Sequence, residues 1–600
     1  MLQIAKRLLY ITPASKLSMV GMMLLFLFSS ALEVIGIGAI APFVSLAGKP
    51  ESIHQYFFLS RLYQRSAVGD EAQFIALLGL LAMLLFCGKT FVSWLTQVSI
   101  FKYSSNQQRL LVNELIGRYI TAPYPYHLKR SSSYIIDSII EASNKFNFII
   151  QSALASVANI LIVISLFALL CYTSGLTMIV LLVVLLPALW LINSFKQKLK
   201  DWGRRSRDSR GNLIRIINHA LGGIKETKVI GCEDYFQQQA MVETEILAKT
   251  TSNFFSFTIV PRFLIETVMV ISTVGIICYF LFIGRDIQGI HSVLGVYALA
   301  SIRLLPAFSQ TVGGINVIRN NSHTIEQIYS DIKELKRNET DRRRSLSLAS
   351  VEHNSDRVSY DVDSALKFEQ YLTLDNIAYS YPNQSQLAIE DLSLKIRRGE
   401  SIALVGKSGA GKTTLVDIIL ALLIPHQGDI RVDGMSIYNN LRNWQNLVGY
   451  IPQAIFLADD TVKNNIAYGV PAEQINEVRL NKAIAAAQLS EVVANLPQGI
   501  NTEVGERGVM LSGGQRQRVG IARALYHERE ILILDEATSA LDNETESSIS
   551  EAIAALSGQK TLIIIAHRLT TVAHCDRIYE LSQGKIVRSG TYQEVILNQS

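Results

Sequence analysis

Over the first 320 residues, long apolar stretches alternate with polar, basic ones. Residues 18–48, 72–102, 148–172, 176–198, 258–284 and 292–320 are rich in Leu, Ile, Val and Phe. Each holds the ~20 apolar residues that a helix needs to cross a bilayer. Some run longer, and those helices are expected to continue into water. The intervening segments 103–147 and 199–255 are too polar to cross a membrane and too long for simple turns. After about Lys336 the apolar period stops, and residues 337–365 are charged and Ser-rich, which predicts a flexible linker. From Phe368 onward, short β-rich runs alternate with helical patterns, as in an α/β nucleotide domain. The predicted organisation is a transmembrane domain at 1–336 with six spans, a linker at 337–365 and an α/β domain at 366–600.

Composition supports the division. Hydrophobic residues make up 49% of the chain, charged residues only 18%, and mean hydropathy is +0.25, which points to membrane spans. A signal peptide is disfavoured, because the first apolar stretch is too long and others follow it. The five cysteines, Cys87, Cys171, Cys232, Cys278 and Cys575, show no paired spacing and read as inert thiols. The net charge of +5 is concentrated beside the apolar half: the 199–255 segment alone holds nine Lys and Arg. That suits a membrane flank rather than a nucleic-acid groove, so no nucleic-acid partner is expected. The outer connections at 173–175 and 285–291 offer only Arg285, so positive-inside bias places both long loops and both termini in the cytoplasm.

A few charges interrupt the spans: Glu33, Lys89, Glu266 and Arg303, with Arg262 at an entrance. Such charges are costly and line a cavity or find a partner. Two readings stay open. Glu33 or Glu266 pairs with Lys89 or Arg303, or else Lys89, Arg262 and Arg303 form a basic lining that receives an anionic head group. Between the first two spans, residues 53–65 alternate apolar and polar positions and suggest a short helix at the outer interface.

The α/β half carries the chemistry. Ser401–Val405 reads as a buried strand running into Gly406-Lys407-Ser408-Gly409-Ala410-Gly411-Lys412-Thr413. Glycines at this spacing let backbone N–H groups wrap phosphates while the following helix offers its positive end. Lys412 can reach the β- and γ-phosphates, the Thr413 hydroxyl can coordinate Mg²⁺, and Thr414 can add a phosphate contact. A second strand, Ile531–Leu534, delivers Asp535 and Glu536 at its end. Such chemistry needs one carboxylate to hold Mg²⁺ and another to orient or deprotonate the attacking water. A third apolar strand, Thr561–Ile565, leads into Ala566-His567-Arg568.

Leu511-Ser512-Gly513-Gly514-Gln515 lies between the phosphate loop and the acidic pair. Motif and order together resemble the ATP-binding cassette family. The resemblance implies that Asp535 holds the metal, Glu536 acts as base and His567 contacts the γ-phosphate. It also implies that Gln453 touches Mg²⁺ and water, that Tyr381 stacks on adenine, and that Ser539–Asp542 communicates across a dimer. Ser512, Gly513, Gly514 and Gln515 would act on ATP held by the opposite subunit. One membrane half and one cassette therefore imply a homodimeric half-transporter with ATP and Mg²⁺ as cofactors.

Membrane half first and cassette second resembles the exporter branch, a six-span helical domain fused to a cytosolic α/β P-loop ATPase. In that branch the long inner loops are helical extensions ending in coupling helices, here expected near Thr121–Lys129 and Gly222–Phe236. Thr502–Gly508 resembles the segment placed against them. Only about seventeen residues precede the first span, so no processing peptidase domain is expected. Glu33–Ala47, Pro261–Glu266 and Arg303-Leu304-Leu305-Pro306 are similar to lipid-linked oligosaccharide flippases of bacterial protein glycosylation. The implied cargo is a polyprenyl-diphosphate-linked glycan or another anionic lipid, and the implied place is a bacterial inner membrane. A multidrug or general lipid exporter, an ATP-gated channel and a membrane receptor are the alternatives. Chromosome-maintenance ATPases share the motifs but lack the spans.

Overall fold

A computed structural model of the chain describes residues 2–12, 16–48, 61, 63–64, 70–173, 183, 194, 196–282, 291–351, 366–382, 384, 386–535, 550–566 and 572–597. These divide into two compact units, Met1–Thr121 with Ser131–Lys336, and Ala122–Arg130 with Arg337–Ser600.

Among the described residues, the regular structure of the first unit is helical. Its elements are α1 (Leu2–Ile11), α2 (Lys16–Gly48), α3 (Glu71–Thr121), then, past α4 (Tyr124–Lys129) of the second unit, α5 (Ser132–Asp137) and α6 (Ser143–Thr173). There follow α7 (Lys196–Gly222), α8 (Ile224–Ile230), α9 (Glu233–Phe282), α10 (His291–Asn320) and α11 (Ser322–Val351), the last of which passes into the second unit at Arg337. Four stretches among the described residues, Leu17–Ala39, Glu71–Thr121, Ser132–Tyr172 and Glu233–Gly275, are long and apolar enough to cross a membrane. The expected span at 176–198 and the interfacial helix at 53–65 fall largely outside the described residues. The expected last span lies within α10, which continues through Pro306.

The polar inner segments are helical, as expected. At 51 residues α3 is far longer than a bilayer crossing requires, and its polar half carries it past the membrane. Pro123 then ends the run, and the six-residue α4 follows. In the second inner segment α8 is closed by Gly231 in the left-handed conformation, φ 73°. Short helices therefore stand where the two coupling elements were expected.

The linker expectation needs correction. Residues 337–351 are helical, because α11 runs through them to Val351. Ile325, Ile328, Ile332 and Leu335 are buried at helical spacing and seed the helix, and nothing after them is Gly or Pro to stop it. Residues 352–365 lie outside the described set.

Among the described residues, the second unit contains two sheets. A four-stranded antiparallel sheet has the order β2-β1-β4-β5, formed by Ile389–Arg397, Tyr371–Tyr379, Gln427–Val432 and Met435–Ser436. The six-stranded sheet has the order β10-β9-β3-β8-β7-β6. Its strands are β3 (Ser401–Val405), β6 (Val448–Ile451), β7 (Ile531–Asp535), β8 (Thr561–Ile565), β9 (Arg577–Ser582) and β10 (Lys585–Gly590). All pairs except β9–β10 are parallel. β7 and β8 are buried throughout, as a parallel sheet covered on both faces requires. Side chains alternate between two cores: Ile402, Leu404, Ile531, Ile533, Ile563 and Ile565 face one, while Ala403, Leu532, Leu534, Leu562 and Ile564 face the other. Helices among the described residues of the second unit are α12 (Lys412–Ile419), α13 (Leu441–Leu447), α14 (Val462–Ile466), α15 (Glu477–Ala486), α16 (Ser490–Asn495), α17 (Gly513–Tyr526) and α18 (Tyr592–Val595). Trp444 of α13, fully buried, donates its indole N–H to Ile419 O at 2.8 Å and closes the end of α12.

Candidate functional site

The site forms where β3, β6 and β7 reach their C-terminal ends, the place at which open parallel sheets bind ligands. The chain leaves β3 at Val405, turns through residues 406–411 and enters α12. Two glycines are sterically required. Gly406 has φ 146°, and a Cβ there would stand 2.3 Å from Leu581 O; Gly411 has φ 103°, and its Cβ would stand 2.9 Å from Ala388 O. Lys412 is 6% exposed, and its Nζ donates to Gly406 O at 2.8 Å and Lys407 O at 3.1 Å. The ammonium is thus held over the loop. The first N–H groups of α12 lack intrahelical acceptors, and Ser408, Gly409 and Thr413 are exposed beside them. Positive charge, unspent N–H groups and small residues make a cradle that fits the phosphates of a nucleotide.

Tyr381 forms one side of the site. Its hydroxyl lies 3.1 Å from Thr414 Oγ1, and its ring packs edge-on against Tyr379, whose ring stacks on His426. Thr414 is buried, so the hydroxyl expected to touch phosphate is engaged with the tyrosine expected to stack on adenine.

Carboxylates form the floor. Asp535, 8% exposed at the end of β7, accepts a hydrogen bond from the Tyr450 O–H at 3.3 Å. Asp417 lies on α12 one turn after Thr413, and burial, then Asp535, pushes its carboxyl up to about 6. The Tyr450 hydroxyl is raised by burial first and by Asp535 and Asp417 next. Tyr124, in α4, packs against the same core, and its hydroxyl is raised by burial, Asp417 and Tyr381. Acids crowded this closely suit a site that receives a divalent cation. Asp417, Tyr450 and Tyr124 escaped the reading of the sequence. The i, i+4 spacing from Thr413 is a signal that could have found Asp417, whereas nothing local marks Tyr124.

Gln453 is exposed just past β6. Glu536, His567 and the Ser539–Asp542 loop lie outside the described residues.

The signature run starts α17. Ser512 is its N-cap, with its Oγ accepting from Gln515 N at 3.3 Å, while Gln515 Oε1 accepts from Ser512 N at 2.9 Å. This reciprocal capping box commits the Gln515 side chain to its own helix, a constraint that the motif alone did not reveal. Ser512 and Gly513 remain exposed at the helix start, where an anion would be favoured. Leading into the helix, Thr502 and Val504 pair with Val462 and Asp460 through backbone bonds of 3.0 Å.

Of the three intramembrane cations, the structure brings two together. Glu33, fully buried, receives Lys89 Nζ at 2.6 Å and Arg303 Nε at 2.9 Å on the same oxygen, Oε1. Lys89 is buried and Arg303 remains one-third exposed. Arg262 and Glu266 are exposed on α9 and make no ion pair among the described residues. Of the pairings left open by the sequence, Glu33 is thus the acid that both Lys89 and Arg303 meet.

A phosphate loop, an acidic strand end and a capped signature helix on one parallel sheet, joined to long apolar helices, define a membrane-bound P-loop ATPase. Residues 389–539 match the ABC transporter family and residues 39–288 the ABC transporter transmembrane region. The ATP-dependent lipid A-core flippase of Cupriavidus pinatubonensis is 31% identical over 494 residues, covering 80% of this chain and 79% of the relative. That of Shewanella denitrificans is 42% identical over 232 residues, 38% of each chain. A bacterial Atm1-family ABC exporter solved with ATP bound shares the fold at TM-score 0.73 and 21% identity, over 97% of this chain and 96% of that one. The chain belongs to the ABC transporter family, with the exporter arrangement of membrane region and ATPase, and it binds and hydrolyses ATP in coupling to transport.

Proposed function

We propose that the protein is a homodimeric half-transporter that uses ATP to flip an anionic lipid-linked or amphipathic substrate across a bacterial inner membrane, both termini being cytoplasmic. The observation that carries the dimer is the division of the machinery. One chain supplies one phosphate cradle and one exposed, capped signature helix, each able to bind one side of a nucleotide. In the family the two surfaces meet across subunits.

Within that reading, Lys412 and the loop N–H groups bind and orient the β- and γ-phosphates, and Tyr381 holds the adenine side. Ser512 and the N–H groups of Gly513 and Gly514 take the γ-phosphate of the partner's ATP. Mg²⁺, when bound, screens the phosphates and orients the leaving group. Thr413, Asp535 and Gln453 are the residues that would hold it. Glu536 accepts the proton of the attacking water, and His567 steadies the γ-phosphate. ATP binds the closed cassettes preferentially, which drives α4 and α8 as coupling elements, and hydrolysis reopens them.

The cargo is read as a lipid because the curated relatives are flippases of a lipid, lipid A-core. The short matches around Glu33, Pro261 and Arg303 favour a polyprenyl-diphosphate-linked oligosaccharide within that class. Lys89 and Arg303 carry one positive charge more than Glu33 neutralises, which fits an anionic head group, with Arg262 as an approach residue. Flipping by proteoliposomes, with lipid A-core and a polyprenyl-diphosphate-linked glycan assayed side by side, tests the reading. Transport of cationic drugs alone, or passive flux after ATP addition, would replace it with a drug exporter or a channel. Mixed dimers test the assembly. Lys412→Ala in one subunit and Ser512→Arg in the other should ruin one composite site and spare the second, whereas equal damage to both would refute the shared site.

A further inference from the structure

Asp331, on α11, is fully buried. Its carboxylate accepts from the Tyr119 O–H at 2.8 Å and from the Tyr134 O–H at 3.0 and 2.9 Å, one distance to each oxygen. Tyr119 stands just before residues 122–130 and Tyr134 just after them. That nine-residue excursion belongs to the cassette unit, while both tyrosines and Asp331 belong to the membrane unit. One acid thus ties the chain just before residues 122–130 to the chain just after them.

The neighbourhood reinforces the tie. Gln327, one turn earlier on α11, donates to Ser138 Oγ at 2.9 Å, at the start of a π-helical turn, Ser138–Ala142. On another side, α1 is joined to α11 by Arg7 with Glu326 at 2.9 Å and by the edge-on rings of Tyr10 and Tyr329. A buried carboxylate is expensive to desolvate, so it is held in place by the bonds that satisfy it, and those bonds fix one geometry.

We propose that Asp331 is a positioning residue for coupling. It binds the entry and exit of the 122–130 loop to α11, so that a displacement of the loop moves α3, α5 and α6 together rather than being absorbed by the neck. The inference rests on the coupling of hydrolysis to transport and is independent of the cargo.

Hydrogen–deuterium exchange on the full-length protein in nanodiscs, without nucleotide and after trapping with ATP, Mg²⁺ and vanadate, reads the coupling without a substrate. Tyr119→Phe/Tyr134→Phe should keep basal ATPase within about twofold and keep the nucleotide-dependent protection of the cassette. The nucleotide-dependent change over residues 131–173 should shrink at least about threefold. A purely structural network would lower the melting temperature and leave that change at its wild-type size, and this result would overturn the proposal. Should the double variant fail to fold, Tyr134→Phe alone removes one donor from a half-buried ring. A wild-type response over 131–173 in that variant counts against the proposal equally.

Discussion

Lys89 Nζ lies 2.6 Å from Glu33 Oε1, a contact between α3 and α2 in which the acid is fully buried and the lysine side chain is 10% exposed. In an apolar bundle such a pair is retained only because each charge would be far more costly alone. Arg303 reaches the same oxygen from α10, so three helices meet on one carboxylate. The cluster therefore ties α2, α3 and α10 together at one buried carboxylate.

Removing the acid should therefore destabilise the membrane half. Glu33→Gln strands Lys89 and should cost on the order of 3 kcal/mol, with a matching fall in melting temperature and yield. Lys89→Met should cost less than Glu33→Gln, and the double variant less than the sum of the two. A double-mutant cycle on melting in detergent measures this, and strict additivity would show that the contact contributes nothing.

The phosphate loop tolerates no side chain at its first glycine. Gly406→Ala places a Cβ 2.3 Å from Leu581 O, at a φ of 146°. Affinity for a fluorescent ATP analogue should drop at least about tenfold, since both strain and clash must displace the loop. The helices of the membrane unit should remain folded by circular dichroism.

Glu536→Gln should bind ATP with near-normal affinity and turn it over about a hundredfold more slowly or worse, as expected for loss of a general base. It should accumulate as a closed, ATP-bound species on size-exclusion chromatography. Turnover close to wild type would assign the base elsewhere.

Asp417 supplies a pH-dependent test. Its carboxyl titrates at about 6 in the folded cassette against an ordinary 3.8, so the fold holds the proton more tightly than the unfolded chain does. The group therefore penalises the fold above about pH 6, and the penalty fades as pH falls toward 4. Asp417→Asn should be more stable than wild type at neutral pH without Mg²⁺ or nucleotide, with the gap closing in acid. Thermal unfolding of both proteins across that range decides it. A variant less stable at neutral pH would mean that Asp417 is held by favourable partners rather than crowded by Asp535.

The motifs were legible because their chemistry is local. Glycines at 406, 409 and 411 are dictated by the turn itself, and the near-continuous apolar runs of 401–405, 531–535 and 561–565 follow from strands buried on both faces. The helical continuity of 103–121 and 196–222 agrees with what the family resemblance implies for the long inner loops. The absence of an apolar period over 337–351 does not exclude a helix there, because the packed turns before it seed one.

Choices among distant partners were settled by packing alone. Sequence offered two acids and several cations in the spans; packing of α2 against α3 and α10 selected Glu33 and left Glu266 outside. Sequence showed that Gln515 belongs to the signature, but the capping box shows that its side chain serves the helix end. Tyr119, Tyr134 and Asp331 carry no mark of one another along the chain, since they meet only when α3, α5 and α11 close around the neck of the 122–130 loop. Local conformation is fixed by a few adjacent residues. Which charged or polar groups satisfy one another depends on contacts across hundreds of residues, and only the packed fold can determine those.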